Sequence, residues 1–589
     1  MFDPRFKKPT LPFNPQRRAT LKKAGIALGA GMLPLAASLP YAATQAPQAA
    51  PSAAHPAAAR TARYRRYNAS GSRIGLRMLD SYARAVRAML ALPPEDPRNW
   101  YRHAIIHTLD CPHGNWWFLS WHRGYLGWFE QICRELSGDP QFALPYWDWT
   151  TEPKVPAGLF KDVLDPNHSA FIPTARDFES RLSNALANAG YWTSPGGVYN
   201  PRSQYGQLLA RRNRFDADLM FDIVTDPSGR MFYDQPNARG VRRERPDFSA
   251  ATVEAVSPST IQAALAAPDY PTFASQKSSN HATMGGFGIL EGKPHNSVHR
   301  CVGSRDCNFV EAQGFMNDML SSVDPLFYLH HANLDRLWDV WTRKQALLGL
   351  PTLPNGVELR TDLPDDQKSP QERATDYYRW ARELFLFFVD GRGAAVTKTR
   401  NEDYASMAAF DYDYEPGAGE EVVTRAASQG RRAVTRRVFN GTVSSKLARP
   451  GQPASASVQV PAAALEQAVS GGAVLVANIT LNFPPMAHHQ PYVVILNGPD
   501  DPSGVDVSSP FYLTTLTMFG HHAHAGAVTY AVPLGEKLGQ ARAAQAQAQA
   551  ADGALQLRIV PMHATMGHHG HDMADMEPAE LLAVNVETY

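Results

Sequence analysis

Apolar residues recur at helical intervals in two long stretches of the chain. Leu76, Leu79, Tyr82, Val86, Met89 and Leu90 predict a packed helix over residues 72–92, ended by Pro93-Pro94. Leu329, Leu334, Leu337, Trp338 and Trp341 predict another over residues 324–348. Between them, an aromatic-rich stretch predicts a helix ending near His107, a Cys-Pro loop and a helix from about Asn115 to Ser137. Residues 150–275 are broken by Pro, Asn and Gly and read as long loops with modest helices, and a short helical run returns at Pro294–His299. Near residue 415 the period changes. Runs at 454–460, 473–481, 492–496, 511–519, 528–532 and 555–560 predict short strands with turns between them. The expected fold is a mainly α domain over residues 66–417, followed by an all-β, sandwich-like domain over 418–589. A length of 589 residues also exceeds what one ordinary core supports. Gln540–Ala551 reads as a low-complexity insert.

Composition changes this picture mainly at the N-terminus. Arg17-Arg18-Ala19-Thr20-Leu21-Lys22-Lys23 precedes a weakly apolar run, Ala24–Leu39, and small residues follow at 42–46. This is a twin-arginine export pattern, predicting a signal peptide over 1–46 and a disordered Ala/Pro spacer over 47–65. Gly25, Gly29, Gly31 and Pro34 interrupt the run, so an uncleaved anchor is the weaker alternative. The predicted location is periplasmic or secreted, and the route suits a protein that acquires a metal before export. Lys plus Arg (57) nearly balance Asp plus Glu (56), leaving +1. That balance gives no reason to expect nucleic acid as a partner, nor a membrane after cleavage, and it is compatible with a homo-oligomer.

The chemistry lies in two histidine sets. His103, His107, His113 and His122 fall among six Trp residues between Tyr101 and Trp149, and Cys111 precedes His113 by two residues. Far downstream stand His295, His299 and the pair His330-His331. The x3 spacing of His295 and His299 puts both imidazoles on one helix face. Nitrogen-only sets suit copper or zinc, and two of them predict a pair of metals between helices. Neither set supplies the carboxylate base of a zinc hydrolase. Cys301 and Cys307 are spaced for a local disulfide, while Cys133 sits in an amphipathic run as a buried thiol. The tail from Met562 to Met576 is rich in Met and His, which suits Cu(I) but equally a flexible polar tail. His521, His522 and His524 could reach a site mouth or be surface residues at strand ends.

Two motifs go further. His113-x4-Phe118-Leu119-x-Trp121-His122-Arg123-x2-Leu126-x3-Glu130 resembles a central-domain signature of tyrosinases and related type-3 copper proteins. Asp324-Pro325-x-Phe327-Tyr328-x2-His331-x3-Asp335 resembles the second signature of that family. Leu144-Pro145-Tyr146-Trp147-Asp148-Trp149 and Tyr412-x-Tyr414 are similar to it as well. The likeness covers roughly residues 70–415 well and the β region loosely.

The resemblance implies a four-helix bundle gripping two copper ions. The first would take His107, His113 and His122, with His103 as the alternative first ligand, and the second His295, His299 and His331. Phe118 and Phe327 match aromatics that restrain the ligand rings, a role compatible with ordinary core packing. Cys111-Pro112-His113 is similar to a Cys-x-His in which sulfur bonds covalently to the imidazole; a reduced thiol or a disulfide to Cys133 is the alternative. Glu291 and Asn296 match residues that hold a water near the second copper, with a structural cap or ion pair as the alternative for Glu291. Arg300 falls where substrate access is tuned, and His330 would turn away to a hydrogen bond. The implied activity is dioxygen-dependent ortho-hydroxylation of monophenols and oxidation of o-diphenols to o-quinones. A catechol or o-aminophenol oxidase and a dioxygen carrier are the alternatives. Dioxygen and small phenols and catechols are the implied partners, and the C-terminal domain is expected to cover the site.

Overall fold

A computed structural model describes residues 62–212, 238–309, 314–317, 320–354, 357, 375–431, 433–484, 490–519, 526–546, 554–562 and 577–589. The leader, most of the spacer, His521–His524 and the tail from His563 to Met576 lie outside the described residues. Residues 62–589 make one compact unit.

Five helices position the site. α1 (Arg73–Ala91) starts at Ser72, whose Oγ accepts the Gly75 N–H, and buries Met78, Leu79, Tyr82, Val86 and Met89. α2 (Trp100–Asp110) is capped by the Asn99 side chain, which accepts the N–H groups of Tyr101 and Arg102. It continues one turn beyond His107, further than the sequence pattern predicts. α3 (Phe118–Ser137) packs against α1 and stops at Gly138, whose φ of 68° suits glycine. α4 (Asn296–Val302) grows out of a wide π turn, Glu291–His295. Pro294 sits inside that turn and has no N–H to close an ordinary helical bond. α5 (Leu326–Leu348) is the predicted 324–348 helix and ends at Gly349. Shorter helices such as Gln204–Arg211 and Pro258–Ala266 lie among the loops of 150–275.

Three short strands punctuate this helical part: β1 (Tyr64–Arg66), β2 (Gly286–Phe287) and β3 (Tyr412–Tyr414). β1 and β3 pair in parallel, joining the two ends of the helical part. Arg66, fully buried, pairs with Glu130 of α3 at 2.8 Å, and Arg123 of α3 pairs with Asp335 of α5 at 2.7 Å. Tyr412 and Tyr414 both donate to Asp335, so the Tyr-x-Tyr motif locks β3 to the helices that carry histidines.

The C-terminal strands are β4 (Arg437–Ser445), β5 (Leu447–Ala448), β6 (Ala454–Gln459), β7 (Leu475–Phe483), β8 (Tyr492–Leu496), β9 (Tyr512–Leu516), β10 (Gly526–Pro533), β11 (Ala554–Pro561) and β12 (Ala579–Thr588). With β2 they form one ten-stranded sheet, ordered β2-β10-β7-β12-β4-β6-β11-β8-β9, with β5 on β12. The expected C-terminal β domain is thus one curled sheet, and helices at Glu421–Gln429 and Ala462–Val469 mean that it is not all-β. β4 makes the fold: residues 437–440 pair with β12 and 441–445 with β6. Gly441 stands at the switch, where a Cβ would lie 2.8 Å from Val458. Val458, Ile479, Leu481, Leu557 and Ile559 fill the enclosed core.

Two features depart from the sequence pattern. β2 belongs to the helical part yet joins the sheet edge, pairing in parallel with β10. Gly286 permits this: it adopts φ 147°, and a Cβ there would meet the Thr529 carbonyl oxygen at 2.3 Å. The second is a helix, Gly535–Ala546, covering the first half of the expected low-complexity insert. Ala, Gln, Lys and Leu are strong helix formers, and Leu538 and Ala541 bury against the sheet core. Among the described residues no helix is long and apolar enough to cross a membrane.

Candidate metal centre

Two clusters of buried side chains face each other between the helices. α2 brings His107, the following loop brings Cys111 and His113, and α3 brings His122. One ligand atom from each lies within 4.8 Å of the others. The π turn and α4 bring His295 and His299, and α5 brings His330 and His331, within the same limit of one another. Rings from opposite clusters touch: His122 and His331 stack at 4.0 Å between centroids and 5° between planes. His113 and His295 stand 5.6 Å apart.

Hydrogen bonds aim the rings. His122 Nδ1 lies 2.8 Å from the Phe118 carbonyl and His299 Nδ1 lies 2.7 Å from that of Met316. Those carbonyls only accept, so each Nδ1 carries the proton and each Nε2 keeps a lone pair turned inward. His295 Nδ1 meets Asn296 Oδ1 at 2.9 Å, to the same effect. Burial holds the rings neutral: it pushes His295 down to about 3 and His122, His299, His330 and His331 well below the usual imidazole value. Repulsion between neighbouring imidazoles adds to this for the last four. His295 Nε2 has no hydrogen-bond partner, which costs about 1–3 kcal/mol for a buried polar atom. Converging imidazole nitrogens in a buried site fit a pair of soft or borderline metal ions.

The structure brings most of the sequence-derived residues into this centre. Phe118 packs edge-on to His122 and His295, at 4.7 and 4.8 Å, and Phe327 does the same to His107 at 4.8 Å. Cys111 Sγ lies 3.6 Å from His113 Nδ1 and 3.4 Å from His122 Nε2, outside any disulfide. Cys133 is a separate buried thiol, and Cys301 and Cys307 are disulfide-bonded. His103 lies outside the cluster, stacked on Tyr125 at 4.4 Å with 7° between planes.

Other residues are placed differently from expectation. His330 does not turn away to a hydrogen bond; it sits in the second cluster, and neither ring nitrogen has a hydrogen-bond partner. Arg300 is buried, its guanidinium donating to Asn317 Oδ1 at 2.9 Å and to the Phe309 carbonyl at 2.5 Å. Glu291 accepts the Gly114 N–H at 2.8 Å through one oxygen and the Ser275 hydroxyl through the other. Burial raises its pKa above the usual carboxylate value, against the lowering effect of these two hydrogen bonds. Asn296 joins the His295 ring to the C-terminal region, its Nδ2 donating to the Thr517 carbonyl at 2.9 Å.

The sequence pattern does not single out Phe519. It follows β9 and lies over His299 at 3.8 Å with 18° between planes, and edge-on to His113 at 5.2 Å. A lone Phe at the end of a predicted strand carries no local signal of this role.

Comparison with known proteins agrees with this arrangement. Residues 96–344 match the common central domain of tyrosinase. (+)-Larreatricin hydroxylase of Larrea tridentata is 28% identical over 282 residues, covering 45% of this chain and 38% of that protein. Polyphenol oxidase II of Ipomoea batatas is 25% identical over 349 residues, covering 57% and 47% respectively. The aligned regions thus span less than half the length of these curated relatives. The solved structure of a recombinantly expressed latent aurone synthase (polyphenol oxidase) shares the fold, with a TM-score of 0.51 at 19% identity over 89% of each chain. A tyrosinase-type domain takes two copper ions, and the two imidazole clusters are the candidate sites for them here.

Proposed function

We propose that this chain, whose residues 96–344 fall in the tyrosinase and polyphenol oxidase family of type-3 copper proteins, oxidises small phenols with dioxygen. The reactions would be ortho-hydroxylation of monophenols and oxidation of o-diphenols to o-quinones. The observation that carries the reading is the contact between the two imidazole clusters, His122 on His331 at 4.0 Å. His107, His113 and His122 would hold one copper, and His295, His299 and His331 the other. Bound there, two coppers supply a two-electron exchange with dioxygen.

The chain's own residues complete the site. Phe118 and Phe327 restrain the imidazole rings and exclude water. Cys111, with Sγ 3.6 Å from His113 Nδ1, would form a thioether that fixes the ring without acting as a ligand, with dioxygen accepting the two hydrogens lost. Glu291 and Asn296 are the polar pair beside His295, proposed to orient a water toward the phenol proton once the Thr517 carbonyl withdraws from Asn296. Phe519 occupies the face of His299, which supports a closed form whose C-terminal region restricts access to bulky phenols. The twin-arginine leader supports export to the periplasm or beyond.

Phe519 also favours a second reading, a dioxygen carrier with a plugged pocket. Turnover separates the two. Copper-loaded protein should consume oxygen with catechol and, after a lag, with tyrosine. Activity on catechol alone would mean a catechol or o-aminophenol oxidase; no turnover after removal of residues beyond about Gly417, with both coppers bound, would mean a carrier.

A further inference from the structure

One buried histidine outside both clusters grips the loop that carries His113. The His281 ring is fully buried, with Nε2 2.6 Å from the Asp110 carbonyl, the last residue of α2. A carbonyl only accepts, so this nitrogen carries the proton. The His281 carbonyl accepts in turn from Asn115 Nδ2 at 2.8 Å. A single residue therefore holds both ends of the loop Cys111–Gly114. Downstream, Gly285 and Gly286 donate their N–H groups to the Gly114 carbonyl, at 2.7 and 2.9 Å.

Ion pairs of Arg212 stand behind His281, whose own ring is kept from ionising by burial. Its Nδ1 lies 3.3 Å from Glu383 Oε1, and Arg212 pairs with both Glu383 and Asp110. Burial opposes ionisation of Glu383, but Arg212 and His281 outweigh it and hold the carboxyl down at about 2. Asp110 also accepts the Trp121 indole N–H at 2.8 Å, tying the group to α3 one residue before His122. Every member is anchored elsewhere in the fold, so the loop's position is set by this assembly.

We propose that His281 is a positioning residue for the first copper: by clasping Cys111–Gly114 at both ends, it sets where His113 presents its ring. The inference rests on the two-copper reading above. Partners behind metal-binding histidines commonly tune metal affinity by ten- to a hundred-fold, and this clasp acts on the backbone that carries the ligand.

The test is the rate at which full-length, copper-loaded protein yields copper to a Cu(I) chelator. His331→Ala confines copper to the first site and His122→Ala to the second. In the His331→Ala background, adding His281→Phe should speed copper loss by on the order of ten-fold or more. His281→Gln, whose amide can still donate to the Asp110 carbonyl, should restore most of the retention. In the His122→Ala background His281→Phe should change the rate less than about two-fold. If His281→Phe does not fold, Asn115→Ala opens the other end of the clasp, and the same first-site acceleration is expected. Equal acceleration at both sites, or none at the first, overturns the proposal. Wild-type protein binding fewer than two coppers would instead overturn the parent reading.

Discussion

The phenyl ring of Phe519 lies 3.8 Å from the imidazole of His299, nearly parallel to it, although 220 residues separate them in the chain. Neighbouring contacts reinforce this one. The Thr517 carbonyl, two residues earlier, holds Asn296, and the ring also approaches His113 and His295. Phe519→Ala should therefore raise kcat/KM for a bulky catechol by roughly ten-fold, about 1.4 kcal/mol. Copper content should stay unchanged, and the gain should be smaller for unsubstituted catechol. Steady-state kinetics with metal analysis checks this; unchanged kinetics at full copper would make the ring packing alone.

The six-histidine assignment is testable one residue at a time. His122→Ala or His331→Ala should lower bound copper from two to one per chain and abolish nearly all oxidation, because the chemistry needs both metals. Metal analysis and oxygen uptake read the two effects separately. Normal activity in either variant would sink the dicopper reading. His330→Ala, which removes the extra imidazole of the second cluster, should keep both coppers.

His103 predicts an acid sensitivity. Burial lowers its pKa from 6.5 to about 3. Between those values the unfolded chain binds a proton that the folded chain refuses. Stability is thus full above pH 6.5 and falls as pH drops toward 3. His103→Phe keeps the ring on Tyr125 and removes the proton. From pH 7.5 to 5 the copper-free wild type should lose about 2 kcal/mol more than this variant. Urea unfolding at the two pH values measures the difference, and parallel losses would refute the assignment.

Coupling of Cys111 to His113 removes two hydrogens. After reduction of Cys301–Cys307, the mature protein should still be lighter than its calculated mass by that amount, with the crosslink mapped to the peptide containing both residues. An alkylatable Cys111 in copper-loaded protein would contradict the proposal.

Glu291→Gln and Asn296→Leu separate hydroxylation from oxidation. A phenol with pKa near 10 is ionised in about one molecule in a thousand at pH 7, and hydroxylation depends on that ionisation more than catechol oxidation does. Glu291→Gln retains an oxygen for the Gly114 N–H and an amide for Ser275, so the fold should survive. Each variant should lower tyrosine hydroxylation by about ten-fold or more, with a much smaller effect on catechol. Equal losses at full copper loading would mean the pair is structural.

Much of this protein was legible without coordinates. α1 and α5 follow from a 3.6-residue period, β8 from a compact run of β-branched residues, and the paired imidazoles of His295 and His299 from one helical turn. These are local relations, carried by residues a few positions apart. Local spacing could not choose between His103 and His107, which lie one turn apart on the same face of α2. Packing separates them: Tyr125 takes the ring of His103, and the loop after α2 brings Cys111 and His113 to His107. Nor could spacing reveal that His330 shares the second cluster, that β2 is the edge of a sheet formed 240 residues later, that His281 clasps the first loop, or that Phe519 lies on His299. Each is a contact between segments far apart in sequence, whose partner is chosen by the direction a backbone enters and by which buried polar atoms must be satisfied. The sequence by itself determined the donors and the chemistry they suit; only the tertiary structure decided how those donors are aimed, held and covered, because aim and cover depend on packing in three dimensions and not on spacing along the chain.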